Sequence, residues 1–295
     1  MGIHQFANGT LRLLFCPKPA LLFTTTALFA INARVFLRPL IPGLALAVVF
    51  AAGGKVMAAN ERERGWGSAW SVPHSEEEKV VREQSDRLEK AVRAQDWATV
   101  AKTLEVFERV TPNSSELRSL QAYVALLRHR YSEAITYYDR ALALLPAANR
   151  AADGSKLYFE RASALALNGS YRAARADLEK AIALDKDNLM AHNNYAWLLA
   201  TCPDGSVRDG KRAVEFARGV NQSLNHRSST ILDTLAAAEA ETGDFRSAIK
   251  DEKRALSLAK GDRSVYERHL QSYMNGAAVR ESPQPPKTTG PLNKS

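Results

Sequence analysis

The stretch YSEAITYYDRALALLP, residues 131–146, returns as YRAARADLEKAIALD at 171–185 and as FRSAIKDEKRALSLA at 245–259. Each copy has an aromatic at its first position, alanine at its fourth and eleventh, and a branched aliphatic residue at its twelfth. The first, fourth and eleventh positions share one face of an α-helix, so each segment predicts a helix with one packed side. Alanine on that side lets two backbones approach closely, and the larger residues a turn away fill holes on the neighbouring helix. Gly169 and Gly243 stand just before two of these helices and supply the left-handed residue that ends a preceding one. A motif that returns in this way marks stacked helix pairs rather than a single globular core.

Working outward on a period of 34, five copies are placed. The first, Val81–Ser114, has Leu88, Ala91, Trp97 and Pro112, with Val100 where a small residue is expected. The second is Ser115–Ala148 and the third Ser155–Asn188, where Lys186 replaces the closing proline. The fifth, Ser229–Asp262, has Glu252 where an aromatic is expected, which weakens that contact. The fourth opens on LMAHNNYAWLLA at 189–200, and its second helix is delayed by TCPDGSVRDG at 201–210. Tyr266–Met274 reads as the polar capping helix that a stack of repeats needs at its end.

This pattern resembles the tetratricopeptide repeat (TPR). The stretch NNYAWLLATCPDGSVRDGKRA, 193–213, is similar to a variant of that repeat found in bacterial proteins, and the similarity continues through 231–256 and 268–281. The resemblance implies an all-α fold, a right-handed α-α superhelix of about five helix pairs with a C-terminal capping helix, spanning residues 75–281. It also implies a role in protein–protein interaction, since first helices of TPR pairs line a concave groove in which peptides lie. Carried over position by position, the groove falls on Tyr123, Lys156, Phe159, Glu160, Asn193, Asn194, Trp197 and Asp233. Asparagine amides donate and accept at once to a peptide backbone, and aromatics give rigid contact area. The Lys and Asn clamp that grips a C-terminal carboxylate in some TPR proteins is not reproduced, because Ser85 and Glu89 stand where its first members belong.

The ends of the chain read differently. Of the net charge of +8, residues 1–58 carry five positive charges (Arg12, Lys18, Arg34, Arg38, Lys55) and no acid. The repeats are close to neutral, so the basic balance is not a stripe on a folded face and no nucleic-acid partner is expected. An apolar run at Leu40–Ala52 follows Arg38 and leads to Val56-Met57-Ala58, a small-residue cleavage pattern. At 13 residues the run is short against the ~20 a spanning helix needs. Residues 1–58 are therefore expected to be a secretory signal that exports the protein to a periplasm or the exterior; the alternative is a retained membrane anchor. Residues 59–74 read as a polar linker, with Ser75 and Glu78 as a capping box. Residues 282–295, SPQPPKTTGPLNKS, are too polar and proline-rich to fold.

No catalytic constellation, cofactor fingerprint or small-molecule site is evident. The six histidines show no i,i+4 pairing and no HExxH, so no metal is expected. Cys202 and His192 lie ten residues apart, about 15 Å along an unbroken helix, too far to act as a nucleophile and base. The sequence thus points to a non-enzymatic scaffold that binds a protein or peptide, the alternative being a self-associating structural unit.

Overall fold

A computed structural model describes residues 76–147 and 151–281. The expected signal, linker, first capping box and C-terminal tail lie outside these residues. Eleven helices and no strand occur among the described residues. They are α1 (Glu76–Ala94), α2 (Trp97–Val110), α3 (Ser115–Leu127), α4 (Tyr131–Leu144), α5 (Ala152–Leu167), α6 (Tyr171–Leu184), α7 (Leu189–Thr201), α8 (Gly210–Ser223), α9 (Ser229–Glu241), α10 (Phe245–Leu258) and α11 (Ser264–Met274).

Local chemistry sets most of the boundaries. Asp96, Ser114, Asn188, Asp209, Ser228 and Asp244 each accept a backbone N–H of the first turn they cap. In four of the five pairs the chain turns from the first helix to the second through one left-handed residue. This is Gly169 at φ 80° and Gly243 at φ 85°, as the sequence predicts, but Gln95 at φ 56° and His129 at φ 57° in the first two pairs. The non-glycine corners carry strain that the glycine corners avoid.

Helices pack as five consecutive pairs, α1 with α2 through α9 with α10, and α11 closes the stack against α10. The second helix of each pair leans on the first helix of the next, and α7 also touches α9 directly. Alanines at the crossings are sealed: Ala134, Ala141, Ala174, Ala181, Ala248 and Ala255 all have no exposed surface. The repeat shows even in single bonds. Ser115 Oγ donates to the Ala141 carbonyl and Ser155 Oγ to the Ala181 carbonyl, both at 2.8 Å and 26 residues apart. First and second helices differ in depth. Ten residues are buried in α7 and in α9, against three in α4 and in α10. First helices form an inner layer and second helices an outer one.

The irregular fourth pair is built as its sequence suggests. After Thr201 the chain loops to Asp209, whose N–H donates to the Leu199 carbonyl at 2.9 Å. Arg208 holds the loop by donating to the Cys202 carbonyl at 2.7 Å and to Glu241 at 3.0 Å. Past α11, residues 277–281 return as a strap to the end of α7, where the Glu281 N–H donates to the Thr201 carbonyl at 2.9 Å.

Candidate functional site on the inner layer

The eight residues expected to line a groove all sit on inner-layer helices, α3, α5, α7 and α9. Seven are buried, with Tyr123 the most exposed of them at 7%; Lys156 alone reaches solvent. The inner layer is closed over these positions by the protein's own atoms.

They fall into two groups. In the first, Glu160 on α5 accepts a hydrogen bond from Ser119 Oγ of α3 at 3.0 Å, and Lys156 Nζ stands 3.9 Å from its other oxygen. Tyr123 and the fully buried Tyr138 adjoin it. Burial pushes the Glu160 carboxyl up, opposed by Lys156 and the hydroxyls around it. Phe159, the next residue back, belongs to the apolar cluster of Tyr195, Trp197, Leu198 and Leu199 on α7. The structure thus brings Phe159 and Trp197 into one cluster.

The second group centres on α7 and α9. Asn193 and Asn194 are 0% and 1% exposed, and both side-chain atoms of each amide lack a hydrogen-bond partner. Leaving a buried donor or acceptor unpaired costs about 1–3 kcal/mol, so four such atoms on adjacent residues are a feature to be explained. Trp197 Nε1 donates to Glu281 of the strap, and its ring stands 5.9 Å from that of His269 on α11. Burial raises the Glu281 carboxyl, with the Trp197 bond acting against it. Asp233, 1% exposed, is bonded by His269 Nδ1 at 2.7 Å rather than turned to an open groove.

Beside that pair lies Glu252 of α10, with no exposed surface and no partner for either oxygen. Burial first, and the Asp233 carboxylate second, push its carboxyl far above the usual range. It occupies the register position held by Tyr138 in α4 and Leu178 in α6, so the sequence marks it as a missing aromatic. Tyr273 of α11, 1% exposed with an unpaired hydroxyl, completes the surroundings. Glu252, His269, Tyr273 and Glu281 were not among the residues the sequence singles out as a site. Their separations in the chain match no motif, and only the odd acid at an aromatic position signals them.

Cys202 is packed in the interior at 1% exposure, and burial pushes its thiol up. Burial pushes the His192 imidazole down. Both groups are thus held towards their neutral forms, and a thiol held so is not an activated nucleophile.

The fold is TPR-like. That follows from the alanine crossings, the recurrent Ser-to-Ala bond and the two-layer pairing. Neither a protein family nor a curated protein matches the chain in comparisons with both. Among solved structures it is similar to the TPR domain of P58(IPK), at 13% identity, covering 68% of this chain and 70% of that one, with a TM-score of 0.30. No helix among the described residues is long and apolar enough to cross a membrane.

Proposed function

We propose that this protein is a non-enzymatic scaffold of the bacterial NNYAWLLATCPD-type TPR class, which takes a protein or peptide segment along its inner layer. The observation that carries the reading is the pair Asn193 and Asn194, whose four unpaired amide atoms offer the donors and acceptors that a peptide backbone pairs. Phe159 and Trp197, in one cluster beside them, supply rigid aromatic area of the kind on which binding energy concentrates. Lys156, Tyr123 and Glu160 extend the line towards the N-terminal pairs. A ligand reaches α7 when the strap at 277–281 lifts from Trp197.

The first 58 residues direct the protein out of the cytoplasm and are removed near Ala59, or remain as an envelope anchor. N-terminal sequencing of protein from its native cell distinguishes the two, and retention of residues 1–58 would establish the anchor.

Proximity labelling in the native cell identifies the partner, and calorimetry with that partner tests the inner layer. Phe159→Ala and Asn194→Ala should each weaken binding about tenfold, equivalent to about 1.4 kcal/mol, with the helical signal intact. Full affinity in both variants would place the interface elsewhere. Light scattering on the purified protein addresses the competing reading, because a self-associating unit gives a stable oligomer without any partner.

A further inference from the structure

The cluster of Asp233, Glu252 and His269 has a chemistry that the scaffold reading does not use. Three helices bring it together: Asp233 from α9, Glu252 from α10 and His269 from the capping helix α11. One donor atom from each of the three lies within 4.8 Å of the others. Asp233 and Glu252 are 1% and 0% exposed. The imidazole bonds to one Asp233 oxygen, while neither Glu252 oxygen accepts a hydrogen bond and one of them lies in the cluster beside Asp233. Glu281 brings a third buried carboxyl to the His269 side, and among the described residues no arginine or lysine pairs with Asp233 or Glu252.

Buried charge is tolerated when it is paired or when it coordinates a metal. Here one imidazole faces two adjoining carboxyls, and an unpaired Tyr273 hydroxyl borders them. A proton held between Asp233 and Glu252 would satisfy one oxygen of each and leave the second Glu252 oxygen and Tyr273 as they are. A divalent cation engages both carboxylates and cancels their charge.

We propose that Asp233, Glu252 and His269 form a binding site for a divalent transition-metal cation of the zinc class. Two carboxylate oxygens and an imidazole nitrogen are a donor set that zinc accepts, at about 2.0–2.2 Å from each. Tetrahedral geometry at those lengths sets donors about 3.3 Å apart, so the cluster closes on the ion through side-chain adjustment from its present spread. The ion displaces the proton held by the two carboxyls, which leaves to solvent, and it takes the place between His269 Nδ1 and Asp233, with the imidazole staying neutral and carrying its proton on Nε2. Because the ligands come from the last helix pair and the cap, the bound cation clips α11 onto the stack. The site does not depend on the inner-layer binding reading, and its test needs no partner.

The experiment uses the full chain, stripped with chelator and titrated with zinc chloride. Bound metal is counted by plasma mass spectrometry after desalting, and thermal melting is followed by circular dichroism. Close to one equivalent should be retained, with a melting temperature that climbs with free zinc. Glu252→Gln, which keeps the shape of the side chain, and His269→Gln should each weaken zinc binding at least about tenfold, since even outer-shell changes cost 10–100-fold. His226→Asn, on an exposed loop, should bind as the parent does. Failure of the parent to retain zinc would overturn the site, as would parental affinity in Glu252→Gln. A Glu252→Gln variant that melts higher than a zinc-indifferent parent would also overturn it, because that is the behaviour of a shared proton.

Discussion

At the scale of single residues, the corners between paired helices show how a repeat tolerates departures from its own pattern. Gln95 is exposed and left-handed, in the place where two later pairs use glycine. Relieving the side chain recovers about 1–2 kcal/mol against an entropic cost of about 0.5–1 kcal/mol. Gln95→Gly should therefore raise stability by roughly half to one kcal/mol, a gain read as a higher urea midpoint; a lower midpoint would show the corner to be unstrained. The crossings behave oppositely. Ala134 and Ala174 have no exposed surface, and replacing either with leucine should cost about 1–3 kcal/mol through overpacking. Melting temperatures equal to the parent's would remove the packing role assigned to them. Glu239 links the corners to pH. Burial raises its carboxyl from 4.5 to about 6, partly countered by the Arg218 bond. The folded protein thus holds this proton more tightly than the unfolded chain does. Its contribution to stability is full below about pH 4.5 and is lost as pH rises through about 6. Glu239→Gln should gain on the parent in urea midpoint between those two pH values, and a constant difference would sink the assignment.

At the scale of helices, what the sequence discloses depends on whether a feature is periodic. The alanines and aromatics of α4, α6 and α10 repeat at fixed offsets, so their packed faces, the late start of α8 at Gly210 and the glycine corners are all legible beforehand. The inner-layer positions are legible as places on helices but not in their burial. Closure over Trp197 depends on Glu281, 84 residues away, and the engagement of Asp233 depends on His269, 36 residues away. Contacts between distant residues leave no periodic trace when each is made once. The strap is such a contact, and it is testable as an element. Glu281→Ala leaves the buried Trp197 N–H without an acceptor, which should cost about 1–3 kcal/mol. A Trp197→Phe background should absorb most of that loss, and equal losses in both backgrounds would show that Glu281 acts elsewhere.

At the scale of the whole molecule, a stack of pairs is close to one-dimensional, with stability set by each pair and its neighbours. The N-terminal pair is held to the rest sparingly, since α2 and α3 make few contacts. It is joined by the cluster of Leu88, Val100, Phe107, Leu117 and Leu120, with the Arg118–Glu108 ion pair beside it. The C-terminal end is closed by α11 and by the strap, whose Arg280 also pairs with Glu241. Amide hydrogen exchange should accordingly be fastest in α1 and α2 and slowest in α7 and α9; uniform protection would contradict a stack held unevenly at its two ends. The strap also has a consequence in time. Polypeptides leave the ribosome at about 5–20 residues per second, and Glu281 follows Trp197 by 84 residues. For roughly 4–17 s of every synthesis, Trp197 is already made while the residue that bonds its indole is not. During that interval the Trp197 indole lacks the acceptor that later holds it, and a partner present at that moment meets no strap in its way.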